Sequence, residues 1–189
     1  FFCHNVFGKD SKMFIGDGGT LLMGTIMSSF VINALKTSST ISAVAPENFG
    51  VIPFTLAVLA IPVFDTLRVM TARIVRGTSP VNPDKTHLHH LLIDLHFSHV
   101  GTTVTEILTN LLVVAAWYIS FIAGASIDVQ LYIVIICGMG ITFGFYRFAR
   151  VQERKKNGIY RLLTRIGDST HVGHTRWFGW LTRVLDKNC

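Results

Sequence analysis

Within eight residues, Pro83-Asp84-Lys85-Thr86-His87-Leu88-His89-His90 gathers three imidazoles, an ammonium and a carboxylate. Such side chains can donate hydrogen bonds to an anion, move a proton or ligate a metal. A second polar island, Gly16-Asp17-Gly18-Gly19-Thr20, places one carboxylate among glycines, where backbone and ligand can approach closely. One carboxylate cannot hold a magnesium ion alone, but Mg²⁺ commonly combines one or two carboxylates with phosphates and waters. Together the islands point to chemistry on a charged, soluble molecule.

Each island also has a plainer reading. Asp17 could simply cap the helix that follows it. In helical projection Leu88, Leu91, Leu92 and Leu95 form one apolar stripe, with His87, His90 and Asp94 on another side and His89 and His96 between. Pro80 and Pro83 restrict the approach, and Asp84 or Thr86 is placed to cap a short amphipathic helix. Its free N–H groups, beside Lys85 and His87, suit phosphate; the plain alternative is a solvated loop. Zinc fits less well, because His87, His89 and His90 do not share one helical face and no cysteine is nearby. Phe14, three residues before Asp17, could stack on a base or simply pack. Asp65 is an ionisable group late in an apolar run, a functional hypothesis by default. The favoured reading is a partner for Arg68 or a cap for backbone freed by Pro62.

The elements that must position these groups are apolar. Half the residues are hydrophobic, 15% are charged, and the mean hydropathy is +0.47, a composition rare in soluble domains. Four spans are expected, at about 13–35, 51–73, 104–124 and 129–148, each of roughly 20 residues and so roughly 30 Å long. This is an all-α polytopic transmembrane helix bundle with cytoplasmic amphipathic helices. Pro62 predicts a kink near Ile61 to Asp65. Residues 36–50 hold one basic residue and 125–128 none, whereas Lys9, Lys12, Arg73, Arg76, Lys85 and ten residues from Arg147 onward lie on the other side. The positive-inside rule then puts both polar islands and the tail in the cytoplasm. The net charge of +6 belongs mostly to that tail, so a nucleic-acid partner is not indicated. Residues 1–150 read as a membrane domain containing a histidine loop at 74–103, and 151–189 as a basic amphipathic tail. In that tail Ile159, Leu162, Leu163 and Ile166 form one stripe, and Trp177, Trp180, Leu181, Val184 and Leu185 another. Helices on an anionic leaflet, or docked on the bundle, are both expected forms. The scattered Cys3, Cys137 and Cys189 imply neither a disulfide framework nor a zinc site.

Two sets of residues carry a family resemblance. Phe1-x-x-x-Asn5 followed by Met13-Phe14-Ile15-Gly16-Asp17-Gly18-Gly19-Thr20-Leu21 resembles the Asn-bearing loop and "F-M-G-D-A-G-S" box of the polyprenyl-phosphate N-acetylhexosamine-1-phosphate transferases, glycosyltransferase family 4. Pro62-x-x-Asp65-Thr66, Arg73 and Ser79-Pro80-x-x-Pro83-Asp84-Lys85-x-His87-Leu88-His89-His90-Leu91 resembles the second signature of that family. The H-x-H-H form looks like the undecaprenyl-phosphate GlcNAc-1-phosphate branch. Thr20 stands where Ser is usual, the Asn5–Asp17 spacing is longer than usual, and the acidic Asp-Asp and Asn/Asp-rich boxes are absent. On this reading the chain is the C-terminal part of a longer protein, holding part of an active site.

The resemblance implies a Mg²⁺-dependent enzyme of the bacterial cytoplasmic membrane that moves a sugar phosphate from a UDP-sugar, UDP-GlcNAc or similar, to undecaprenyl phosphate and releases UMP. It would begin a cell-envelope glycan such as O-antigen. Asp17 would be the Mg²⁺ ligand and, with His87, His89 and His90, the catalytic set. Asn5, Phe14, Lys85 and Arg73 would bind substrate, Phe14 by stacking on uracil. Membrane lipids are expected partners, and a homodimer is compatible with the reading. The competing classes are a transporter or channel using Asp65 and the histidines, and a non-catalytic membrane module.

Overall fold

The computed structural model describes residues 16–37, 46–79 and 86–171. Among these there is no strand. Helix α1 spans Gly16–Lys36, and nearly all its described side chains are exposed, Leu21 and Phe30 among them. Helices α2 (Val51–Val58) and α3 (Ala60–Val75) meet at a 73° bend. The short α4 (Leu88–Asp94) precedes α5 (His99–Ile122). Helix α6 (Ile127–Met139) continues through a π-helical segment, Gly140–Phe145, into α7 (Tyr146–Lys155). Helix α8 (Gly158–Ser169) follows.

Two helices, His99–Ile122 and Ile127–Lys155, are long and apolar enough to cross a membrane, and the bent α2–α3 pair is a third if its two helices count as one broken span. Only 17% and 22% of their apolar windows are buried within the chain. The remaining apolar surface faces outward, as lipid requires. The chain is thus an all-α membrane helix bundle. The first of the four expected spans corresponds to α1, its apolar part running over Leu21–Lys36 behind the glycine-rich start, with residues 13–15 outside the described residues.

The bend is displaced from the expected Ile61–Asp65 stretch to Leu59. Pro62 has no N–H to give the carbonyl of Val58, one turn back. Asn110 of α5 takes that role. Its side-chain amide donates to the Val58 carbonyl at 2.9 Å, and its Oδ1 accepts the Ile61 N–H at 3.1 Å. One residue therefore satisfies both backbone groups stranded by the break.

Two cores hold the bundle. Ala57, Ala60 and Phe64 pack on Val113, Trp117 and Val134. Gly138 makes this possible, since a Cβ there would fall 2.3 Å from the Phe64 ring. Phe49, Phe54, Trp117 and Phe121 cluster alongside, with ring centroids 4.9 to 5.7 Å apart. Next to them Gln130 is fully buried. It accepts from Trp117 Nε1 at 3.1 Å and donates to the carbonyls of Asn48 and Ala125 at 2.7 and 2.9 Å.

The second core joins Leu88, Leu91 and Leu95 of the histidine segment to Ile61 and Ala149, so the expected leucine stripe is the buried face of α4. Helix α4 ends on His96 in the left-handed region (φ 66°), with the Phe97 N–H reaching the Leu92 carbonyl. Glycine usually fills this position, and a side chain there costs roughly 1–2 kcal/mol. Helix α8 holds the same turn from outside. Ser98 N donates to Thr170 Oγ1 at 2.9 Å, Ser98 Oγ donates to the Thr170 carbonyl at 2.8 Å, and Asp168 lies 3.3 Å from His96 Nδ1. Only Leu163 of the expected tail stripe turns inward, while Ile159, Leu162 and Ile166 are exposed. The second stripe, Trp177 to Leu185, lies outside the described residues.

Candidate active site

The site is organised by Asp65 of α3, six residues beyond the break at Leu59. Its carboxylate is buried, with Arg68 beside it. Arg68 Nη2 and Nε donate to Oδ1 at 2.7 and 3.2 Å. His87 Nδ1 lies 2.8 Å from Oδ2, and the Leu88 N–H sits 3.2 Å from both oxygens. A short helix leaves its first N–H groups without partners, and Asp65 accepts one of them from across the fold. His87 is the N-cap residue, its own side chain makes no cap, and the acceptor for the Leu88 N–H comes from α3; Asp84, one of the two expected caps, lies outside the described residues. Arg68 also donates to the Thr86 carbonyl, and its guanidinium lies 3.7 Å from the centroid of the Tyr146 ring. Asp65 is both a partner for Arg68 and a cap, but the backbone that it caps is that of α4.

The three histidines lie side by side. The His87 and His89 rings stack with centroids 5.8 Å apart and planes 10° apart, and His89 and His90 are 4.2 Å apart. The helical projection grouped His87 with His90 and set His89 apart, treating all three as helical. His87 is instead extended (φ −63°, ψ 159°), so its side chain leaves the helical register. With Nδ1–H directed at Asp65, Nε2 of His87 is left to meet a ligand. Partial desolvation pulls His89 below the ordinary imidazole pKa, and the positive charge of a protonated His90 or His87 adds to this, against an opposing pull from Asp65. The ring is therefore neutral near pH 7 and acts through hydrogen bonds rather than charge. Among the described residues, no group of three or more His, Cys, Asp or Glu side chains is arranged to hold a metal ion.

His87 and His89 line a cleft of about 470 Å³ with Asp65, Glu106 and Asn110. His90 touches His89 but lies off this lining. Arg73 is buried near the end of α3, eight residues or about 12 Å along the helix from Asp65, and lines neither this cleft nor the larger one described below. Asp17 falls in the first turn of α1 as described. Its side chain, and all of Asn5, Phe14 and Lys85, lie outside the described residues. Three groups at the site escaped sequence reasoning. Glu106 carried a readable signal, a lone acid in an apolar span. Asn110 and Tyr146 carried none, because their partners are 49 to 78 positions away.

Comparison with known proteins adds a second line. Over 92 residues the chain is 37% identical to the decaprenyl-phosphate N-acetylglucosaminephosphotransferase of Mycolicibacterium smegmatis, covering 47% of this chain and 23% of that protein. Over 88 residues it is 38% identical to the undecaprenyl-phosphate alpha-N-acetylglucosaminyl 1-phosphate transferase of Pasteurella multocida, covering 46% and 22%. The enzyme of that name from Haemophilus influenzae is 36% identical over 88 residues, covering the same shares. These relatives are the polyprenyl-phosphate sugar-phosphate transferases that the two signatures resemble. The chain spans less than a quarter of the length of the curated relatives it matches. No family model and no solved structure matches.

Proposed function

We propose that this chain forms part of a polyprenyl-phosphate N-acetylhexosamine-1-phosphate transferase of the bacterial cytoplasmic membrane, working at its cytoplasmic face. The donor is UDP-GlcNAc or a related UDP-sugar, and the acceptor is undecaprenyl phosphate. A phosphate oxygen of the acceptor bonds to the sugar-bearing phosphorus as the bridging P–O bond breaks and UMP leaves. The product begins a cell-envelope glycan. The observation that carries this reading is the histidine helix fixed to Asp65, with His87 and His89 opening onto a cleft that also holds Glu106 and Asn110, beside the bilayer-crossing helices. The homology over nearly half the chain supports it.

Two phosphate-bearing substrates repel each other as they approach, so the site must supply donors where negative charge gathers. With Nδ1–H given to Asp65, His87 donates to the pyrophosphate through Nε2 only when that nitrogen is protonated as well, His89 adds a neutral ring beside it, and His90 supports His89. Lys85 adds positive charge, Asn5 contacts the uridine, and Phe14 stacks on its base, whereas Arg73, buried and lining neither cleft, is left without a part in this site. Asp65 is engaged with Arg68, His87 and Leu88 and so is a positioning group rather than a metal ligand. Asp17 would hold Mg²⁺ together with substrate phosphates and water, a donor set that suits the ion. When bound, that ion offsets the charge of the two phosphates. The test is UMP release from UDP-GlcNAc and undecaprenyl phosphate by the full-length protein. Asp17→Asn should lose on the order of 10²-fold or more while still inserting. Unchanged turnover with unchanged Mg²⁺ dependence would reduce Asp17 to a helix residue.

A further inference from the structure

A second and larger cleft, of about 1000 Å³, opens between α3 and α7. Two helical faces form its walls. On α3 they are Arg68, Thr71, Ala72, Val75 and Arg76, and on the other side Phe143, Tyr146, Arg147, Arg150 and Arg154, each set at i, i+3 or i+4 spacing. Lys156 stands at the rim. Two of the cations are compensated: Arg68 by Asp65, and Arg150 by Asp94 and Glu153, each at 2.8 Å. Among the described residues Arg76, Arg147, Arg154 and Lys156 enter no ion pair, and all four are exposed. Among the described residues Glu153 is the one carboxylate in the lining, and Arg150 holds it.

The surroundings restrict what fits. Leu67, Ile74 and Val75 on α3 are exposed, Val75 to 81%. Phe143 lines the cleft at the point where the apolar helix passes into its basic end. The cleft therefore lies on the border between lipid-facing apolar surface and uncompensated positive charge. A metal ion is repelled there. The Tyr146 face is not open to a nucleotide base, because Arg68 and Arg150 both lie over it, at 3.7 and 5.4 Å from its ring centroid. The Asp65–Arg68 pair stands between this cleft and His87 and His89, which line only the other one. A phosphate held here is thus separate from the proposed reaction.

We infer that this cleft binds the phosphate headgroup of an anionic membrane phospholipid, with Arg76, Arg147 and Arg154 around the phosphate and the acyl chains along Val75 and Ile74. Basic pockets between membrane helices bind such headgroups. The inference is independent of the transferase reading, since it needs neither the histidines nor Asp17.

The test is lipid retention by the purified full-length protein, read by native mass spectrometry with phosphatidylglycerol or phosphatidylcholine. Phosphatidylglycerol should be retained over phosphatidylcholine. The triple variant Arg76→Gln/Arg147→Gln/Arg154→Gln should weaken that retention on the order of 10- to 100-fold, and the corresponding triple Arg→Lys variant should restore most of it. Excess inorganic phosphate should leave the lipid in place. Where the triple Gln variant fails to fold, Arg154→Gln, on an exposed helix end, is read instead for a several-fold loss. Four results overturn the inference: equal retention of the two lipids, no loss in a folded Gln variant, displacement by inorganic phosphate (a soluble-anion site), or displacement by undecaprenyl phosphate (a carrier site).

Discussion

The bundle contains two buried polar networks, and they are built to different ends. Around Gln130 the groups are neutral, and its amide meets Trp117, Asn48 and Ala125 inside a wall of aromatic rings. Around Asp65 the groups are charged. The network reaches out through His87 to a seven-residue helix and a cleft. A neutral network with its hydrogen bonds closed on itself ties helices together and offers nothing to a ligand. A charged network with one imidazole nitrogen directed outward can stiffen a site and act in it. Burial and hydrogen bonding alone do not separate the two; the remaining open group does.

The sharpest way to break this contrast is to remove one member from each network. Asp65→Ala leaves Arg68 buried without its partner and the Leu88 N–H without an acceptor. Breaking such a pair costs about 3–5 kcal/mol. A lowered unfolding midpoint should come with faster amide exchange across 88–95. Unchanged exchange there would show that α4 stands without Asp65. Gln130→Leu strands the Trp117 N–H and two carbonyls and should cost about 2–3 kcal/mol. The same exchange measurement should find 88–95 protected as in the wild type. If both variants loosen α4 equally, the two networks are one.

The smaller tests sharpen the histidine side. A Cβ on Gly167 would fall 2.2 Å from the Leu95 carbonyl oxygen, and backbone cannot yield as a side chain does. Gly167→Val should therefore lift α8 from the turn at His96 and Ser98, with locally faster exchange and a loss of activity on the order of tenfold. Wild-type exchange at 95–98 would make α8 a bystander. The smallest effect concerns pH. The folded-state pKa of His89 is lowered, so between that value and 6.5 the unfolded chain binds more protons than the folded one. Stability should rise with pH through that window, and the penalty should be complete below the folded pKa. An NMR titration of His89 should show a midpoint below 6.5, and His89→Gln should remove the step. A midpoint at or above 6.5 would contradict the desolvated stack.

What was legible in the sequence was local. Apolar runs announced the membrane-crossing helices, and the spacing of Leu88, Leu91, Leu92 and Leu95 announced the buried face of α4, because helical periodicity is written within a few residues. Asp65 and Arg68 could be paired at i, i+3 for the same reason. The acceptor for Leu88 could not be found this way: Asp65 lies 23 positions earlier, and Asp84 and Thr86 were nearer and chemically suitable. The bend shows the same limit. Pro62 foretold a break, but the group that satisfies the stranded backbone is Asn110, 49 positions from Ile61. The projection of the histidines failed at His87 because a residue at a helix boundary does not follow the helical register.

The central claim is that Asp65 holds His87 for substrate. UMP release by the full-length protein, measured with wild type, Asp65→Asn and His87→Ala, tests it most directly. Both variants should lose on the order of 10²-fold in turnover, while Gln130→Leu keeps wild-type activity per folded molecule. Asp65→Asn retaining wild-type turnover, or Gln130→Leu falling as far as the other two, would contradict it.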